Sequence, residues 1–336
     1  MASFRTEFST RLHKTRIGLE TKILTLGSCF SDNIGNHLKG NKFETMVNPF
    51  GTIYNPVSIQ KLIQLSIRNE QPAEDTYLSK EEIHSNYDFH SSFSDTQKER
   101  LKTTIADQIS TAHACLRACD FLFITYGTAW VYKRKDNLQI VANCHKQHAD
   151  LFIKKLLTTD EIVNSFSQLY TDLKQFNPGI KIILTLSPVR HLKDTMELNT
   201  VSKSVLRMAL YAITQSREDT DYFPAYEIMM DDLRDYRFYA TDMIHPSTEA
   251  EEYIWEKFTD RYFESGTKQI IHQWESMKKL LSHKPFHVTS AAHQKFLQET
   301  LLKLKALRTQ INVEEEILQI EQLISSKNLP RITNNE

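Results

Sequence analysis

Glycine is scarce in this chain, at eight among 336 residues, so a glycine inside a motif marks a place where the backbone needs one. Cysteine is scarcer, with Cys29, Cys115, Cys119 and Cys144 the full set. They form no Cys-x-x-Cys pair and no Cys/His cluster of zinc spacing, which argues against a metal site and against a disulfide framework. Cys115 and Cys119, four apart, are expected as a buried, reduced pair on one helix face. No apolar run approaches the ~18 residues a membrane-spanning helix needs. Charges interrupt the first eight residues, from Met1 to Phe8, where a signal peptide would carry its apolar core. A cytoplasmic location is therefore expected. Neither sign of charge dominates: 41 basic residues stand against 42 acidic ones. That balance gives no general attraction to nucleic acid or to anionic membrane. The run Lys133-Arg134-Lys135 is expected as a solvated hairpin tip, since no aromatics interleave it. No nucleic-acid or membrane partner follows from these features, and no cofactor or metal is expected.

What the chain does have is core material, with 40% hydrophobic and 10% aromatic residues. Short apolar runs bounded by turns predict buried strands at Ile23–Leu26, Phe121–Tyr126 and Lys181–Leu186, with a weaker one at Leu138–Ala142 and another at Tyr226–Met230. Between them, helical periodicity covers 56–68, 97–117, 159–176, 199–215 and 248–263. Asn177-Pro178-Gly179 stops the third of these, and Thr248 with Glu251 has capping-box spacing at the start of the last. Alternating strand and helix predicts an α/β fold with a parallel sheet and helices on both faces. The strands are apolar throughout, as burial on both faces requires. Sites in such sheets form beyond the carboxyl ends of the strands. Polar or glycine residues stand at three of those ends: Gly27-Ser28, Gly127-Thr128, and Ser187-Pro188-Val189-Arg190-His191.

The texture changes near residue 264. Leu297, Leu301, Leu304 and Ile311 follow heptad-like spacing, and Ile317, Ile320 and Ile324 resume it after a break. Asn312 with Glu315 resembles a capping box opening a second helix. The expected organisation is a domain over 1–265, a C-terminal helical extension over 266–330, and a disordered tail at 331–336. The extension offers a surface for homo-oligomerisation.

Ser28 stands where the first strand turns into a helix whose Phe30, Ile34 and Leu38 share one face. Free N–H groups at a helix start can stabilise negative charge beside the serine oxygen. An ordinary N-cap serine occupies the same place. A nucleophilic serine needs a base and a group that orients the base. Asp242-Met243-Ile244-His245, in a loop before a helix, can bring a carboxylate to an imidazole and leave the other ring nitrogen free to accept a proton. The alternative is a surface loop with an incidental histidine. Arg190 could grip a carboxylate, a phosphate or a sugar-linked anion by a two-pronged hydrogen bond, or serve in a structural ion pair. His145 could line the cleft or be a satisfied loop histidine. Tyr54 and Trp130 could form a stacking wall or belong to the core. Cys29 follows the serine and is expected to turn into the helix as a small buried residue.

Taken together, the motifs resemble those of the GSCFA family, whose name appears here as Gly27-Ser28-Cys29-Phe30-Ser31 with serine in the fifth place. The resemblance continues through Asn48-Pro49-Phe50-Gly51-Thr52-Ile53-Tyr54-Asn55-Pro56, Tyr126-Gly127-Thr128-Ala129-Trp130, Asn143-Cys144-His145-Lys146, the 187–191 block and the Asp242/His245 block. It spans roughly 1–265 and leaves out the helical tail. The family in turn resembles the SGNH, or GDSL-like, hydrolases. That resemblance implies a flavodoxin-like three-layer α/β/α sandwich, with Ser28 as nucleophile, His245 as base and Asp242 as orienting group. It implies an oxyanion hole from the amide of Ser28 or Cys29 with that of Gly51, whose alternative is a plain turn. The wider superfamily carries an asparagine in its third block where Ala129 stands here, and Thr128, Asn48, Asn55 or His145 could substitute for that donor. Asn48, Asn55, Thr128, His145, Arg190 and His191 are the expected substrate-binding residues. The function implied is a serine hydrolase or acyltransferase acting on O-acyl esters, including O-acetylated carbohydrate. The alternative is a non-catalytic protein of the same fold that binds a glycan or an acylated metabolite.

Overall fold

A computed structural model describes residues 7–8, 12–288 and 290–325. The expected tail at 331–336 and residues 1–6 of the N-terminus lie outside the described residues. The chain divides into two compact units, one built from 20–39 and 43–261 with the N-terminal residues, the other from 13–19, 40–42 and 262 onward.

The first unit is built on five parallel strands: β1 (Ile23–Gly27), β2 (Thr45–Val47), β3 (Phe121–Tyr126), β4 (Lys181–Leu186) and β5 (Thr220–Phe223). They lie in the order β5-β4-β3-β1-β2, which is the flavodoxin-like arrangement. Side chains alternate across the sheet. Leu24, Leu26, Leu122, Ile124, Ile182 and Leu184 face one side and join a core with Ile59, Leu101, Phe166 and Leu206. Those partners come from α2 (Pro56–Arg68), α3 (Lys98–Ala118), α4 (Thr159–Phe176) and α5 (Met196–Gln215). On the other side lie α1 (Cys29–Gly40) and α6 (Thr248–Tyr262). Phe258 of α6 meets Phe123 and Phe223 edge-on at 5.8 and 5.2 Å between ring centroids. On α1, Gly35 approaches Thr25 and Val47 so closely that a Cβ would stand 2.7 Å from the valine methyls. The result is a three-layer α/β/α sandwich.

Local chemistry sets the helix boundaries. Asn55 caps α2 by accepting the Ser58 N–H at 2.8 Å, and Pro56 takes the first helical position, where no N–H is needed. A reciprocal capping box of Thr158 and Glu161 opens α4. Thr195 accepts the Leu198 N–H, so α5 begins at Met196, three residues before the expected start. The cap of α6 is Ser247, whose hydroxyl accepts the Ala250 N–H, and not the expected Thr248. Two small antiparallel sheets flank the connections, one over 77–95 and one over 130–156. The expected strand at Leu138–Ala142 shortens to Ile140–Val141 and pairs in the second of these with Trp130–Arg134.

One strand expectation is overturned. Tyr226–Met230 belongs to a short helical turn, Ala225–Glu227, followed by a π-helical segment, Ile228–Asp232. A buried apolar run does not by itself distinguish strand from helix. The last strand of the sheet is instead Thr220–Phe223, a mixed-polarity edge strand whose Asp221 pairs with Arg261 at 2.9 Å.

The second unit contains α7 (Ser265–Leu281), α8 (Ala291–Leu307) and α9 (Glu314–Ser325). Its core is Trp274, Met277, Leu297, Leu304, Ile311, Val313, Ile317 and Ile320. Trp274 Nε1 donates to Gly40 O at 2.8 Å, and Lys42 pairs with Glu316 at 2.6 Å. Among the described residues, no helix is long and apolar enough to cross a membrane.

Candidate active site

The turn at the tip of β1 is specified by Gly27. Its φ is +132°, a conformation closed to residues with a Cβ, and its N–H donates to Asn48 Oδ1 at 2.8 Å. Asn48 Nδ2 in turn donates to Asp32 at 2.7 Å, and Asp32 lies in the first turn of α1, where a carboxylate suits the helix dipole. Ser28 follows with no exposed surface. Its N–H donates to Thr125 O at 3.2 Å, and its Oγ accepts the Phe30 N–H at 3.4 Å. The serine in the fifth motif place ties the helix to the sheet: Ser31 Oγ donates to Leu26 O at 2.7 Å and lies 2.7 Å from Thr125 Oγ1.

The three amides expected to hold an oxyanion are not equivalent. The Gly51 N–H closes a turn onto Asn48 O at 2.8 Å, with Gly51 at φ +73°, and the Ser28 N–H is engaged by Thr125 O. Neither amide is therefore a free donor in this structure. Among the described residues no backbone carbonyl accepts the Cys29 N–H, which interacts with its own thiol. Burial, followed by the Asp32 carboxylate, raises the Cys29 thiol pKa. That keeps it protonated and unlike an activated thiolate. Cys29 is only partly buried, less so than expected.

Asp242 and His245 meet as anticipated. Asp242 Oδ2 accepts from His245 Nδ1 at 2.6 Å, while Oδ1 accepts the N–H groups of Ile244 and His245 at 2.9 and 3.0 Å. These hydrogen bonds, led by the His245 amide, hold the carboxyl down at about 2. An ionised Asp242 can only accept, so the proton on His245 sits on Nδ1 and Nε2 is left as the acceptor. No hydrogen bond joins Ser28 to His245 in this structure.

The remaining expected residues divide. Asn55 is a helix cap and bonds Ser58 Oγ at 3.0 Å, so its side chain is engaged in structure. The side chain of Asn48 shapes the Gly27 turn. Thr128 Oγ1 accepts the Trp130 N–H and lies 3.1 Å from Ser202 Oγ, which also takes the Ala129 N–H. His145 Nε2 bonds Asn86 O at 2.7 Å from the loop between Ile140–Val141 and Phe152–Leu156 of the second small sheet, as a satisfied loop histidine does. None of these four presents an unengaged donor. Arg190 bonds no carboxylate. It stacks over Tyr239 with its guanidinium 4.0 Å from the ring centroid and reaches Met243 O at 3.4 Å, next to the His245 loop. It lines a cavity of about 220 Å³ with Arg234, Asp235, Tyr236, Tyr239 and two methionines. His191 packs edge-on to Tyr54, with ring centroids 5.1 Å apart.

Sequence reasoning missed Lys203. It lies on the buried stripe of α5, in register with Asn199, Leu206 and Leu210, and is 2% exposed. Its Nζ donates to Gly127 O at 3.0 Å and Ser187 O at 2.7 Å, fastening the carboxyl ends of β3 and β4. The signal was present: a lysine on the core-facing positions of a helix must be paired or functional. Burial pushes its pKa down to about 7, the Cys29 thiol partly opposing this. Cys29 from α1 and the Tyr226 ring are the groups facing it, with His191 within electrostatic reach. The folded state thus binds this proton more weakly than the unfolded chain does. Stability from this site should rise with pH, by about 1 kcal/mol per unit between about 7 and 10. Urea unfolding across that range, with Lys203→Met as the comparison, reads this directly: the variant loses that component of the slope. Among the described residues, no group of three or more His, Cys, Asp or Glu side chains could hold a metal ion.

The strand order, with a serine at the tip of β1 and an Asp-His pair before the last helix of the unit, defines a flavodoxin-like α/β protein. The chain belongs to the GSCFA family: residues 22–258 match that family's model. Residues 274–326 match the model described as GSCFA domain protein, C-terminal domain. No curated protein matches the chain. Among solved structures, it is similar to a carbohydrate esterase family 3 protein from Talaromyces cellulolyticus, at 8% identity over 75% of this chain and 98% of that one, with a TM-score of 0.35. It is also similar to an acetyl xylan esterase from the rumen bacterium Butyrivibrio proteoclasticus, at 11% identity over 75% of this chain and 64% of that one, with a TM-score of 0.33. Similarity at that level defines no chemistry for this chain.

Proposed function

We propose that this protein is a serine hydrolase or acyltransferase acting on O-acyl esters, with Ser28 as nucleophile, His245 as base and Asp242 as the group that orients it. The observation that carries the reading is the Asp242–His245 hydrogen bond of 2.6 Å, which leaves Nε2 as a proton acceptor in the same compact unit as a serine held on a tight strand-to-helix turn. Ser28 Oγ would attack the carbonyl carbon while its proton passes to His245 Nε2. The carbonyl π pair moves onto oxygen and returns to expel the alcohol, which takes the proton from His245. Water or a second hydroxyl then releases the acyl group by the same steps in reverse order. Catalytic hydrogen bonds are often absent before substrate binds, and access to the buried Ser28 requires the side chains over it to part. The Arg190 cavity next to the His245 loop would receive an anionic or sugar-borne portion of the ester.

A second reading, a protein that binds a glycan or an acylated metabolite without turnover, draws support from one observation. Ser28 has no exposed surface, and its oxygen is bonded to Phe30 rather than to His245. Hydrolysis of p-nitrophenyl acetate and of acetylated xylan separates the two. The hydrolase reading expects turnover that Ser28→Ala lowers by about 10³-fold or more. Equal, background-level rates in both proteins would favour binding.

A further inference from the structure

We propose that His191 is the side-chain donor that receives the carbonyl oxygen of the ester as it becomes an oxyanion. The inference rests on the reading of Ser28 as nucleophile. It begins from a shortage of donors. Of the three backbone amides at the turn, those of Ser28 and Gly51 are engaged, which leaves Cys29 alone. Acyl transfer needs more than one preorganised donor at this oxygen.

His191 Nε2 is a buried polar atom without a hydrogen-bond partner. Leaving such an atom unpaired costs on the order of 1–3 kcal/mol, which a bound acceptor such as an oxyanion would recover. The place is suitable. Nε2 lies 3.1 Å from where a Cβ on Gly127 would stand, directly over the residue that follows β3. β3 is the strand whose Thr125 pairs with Gly27 and accepts the Ser28 N–H. A side chain at position 127 would press on that atom and, equally closely, on Tyr54 Cδ1 and Cβ at 3.1 and 3.2 Å. The His191 backbone is fixed by its N–H donating to Asn199 Oδ1 at 3.0 Å, and the ring by Tyr54.

The electrostatics suit a neutral donor. Burial, then the Lys203 charge, hold the His191 pKa down at about 4, with His245 adding to the effect and Asp194 opposing it. The ring therefore stays uncharged across the working range. With its proton on Nε2, the ring can give a hydrogen bond from that atom. Two histidines of one cluster then take different roles: Asp242 makes His245 an acceptor at Nε2, and His191 remains a donor there.

The test is the second-order rate at which a fluorophosphonate probe labels Ser28, because the phosphoryl oxygen develops the same charge as an ester's. His191→Phe keeps the ring shape against Tyr54 and removes the donor. His191→Gln restores a donor. The expected result is labelling slowed about 100-fold in His191→Phe, recovered at least tenfold in His191→Gln, with melting temperatures of the two within a few degrees. If His191→Phe does not fold, His191→Ala against His191→Gln makes the same comparison. Wild-type rates in the variant lacking the donor, or equal slowing in both variants, would overturn the role of His191 and leave Ser28 standing. A wild-type protein that is never labelled would reject Ser28 as nucleophile, and His191 with it.

Discussion

His245→Ala is expected to lower kcat for ester hydrolysis by about 10³-fold or more without changing the melting temperature appreciably. The side chain is 48% exposed, and its one hydrogen bond is to Asp242, also on the surface. The backbone contacts of the loop, from Ala240 N–H to His245 O at 2.8 Å and from the Ile244 and His245 N–H groups to Asp242, do not involve the imidazole. Stability and activity therefore separate at this position. Asp242→Asn refines the point. An asparagine in that place can offer its N–H₂ to Nδ1, which moves the imidazole proton to Nε2 and removes the acceptor. A loss of about 10²–10⁴-fold is expected with the fold intact. Circular dichroism melts alongside steady-state kinetics check both variants. A His245→Ala protein that turns over at the wild-type rate would remove the imidazole from the mechanism.

Gly27→Ala is expected to destabilise the protein by roughly 4 kcal/mol or more. At φ +132° an alanine is strained before any contact is considered, and its Cβ would stand 2.2 Å from Thr125 O and 2.9 Å from Thr125 C. These are backbone atoms of the neighbouring strand, fixed on the other side by β4, so they cannot move aside without opening the sheet. Gly266→Ala is the matched control. Nothing lies within 4 Å of its Cβ position, and the residue is in the first turn of α7. Alanine there should be neutral or stabilising by up to about 1 kcal/mol. Urea denaturation of the two variants gives the contrast. A Gly27→Ala protein as stable as the parent would show that the turn is looser than described.

The central strands were legible because burial on both faces leaves a continuous apolar run, as in β1, β3 and β4. β2 escaped notice: three half-buried residues, Thr45–Val47, are too short to show a period. At β5 the signal misled. Thr220–Phe223 carries an aspartate paired to Arg261, while the more apolar Ile228–Met230 just beyond it lies in a π-helical segment with Ile228 and Met229 buried. Ser247 displaced Thr248 as a cap because the choice between adjacent hydroxyl residues depends on the angle at which the chain enters the helix.

In the site, Ser28 and the Asp242/His245 spacing could be read because local sequence sets both. The turn holding Ser28 and the loop holding His245 are each short-range structures. What could not be read was the use of each hydrogen-bonding group. Asn55 and Gly51 look available in a sequence, yet one caps a helix and the other closes a turn. Lys203 showed in the sequence only as a lysine on a core-facing helix position; its partners, the ends of β3 and β4, lie more than 70 and 10 residues away and could not be read.

The most direct test of the central claim is peptide mass spectrometry of the full-length protein after treatment with a fluorophosphonate. The account predicts a single phosphonylated site, Ser28, with labelling abolished in Ser28→Ala and strongly slowed in His245→Ala. Full-strength labelling that persists in Ser28→Ala, or an adduct found on another residue in its place, would contradict it.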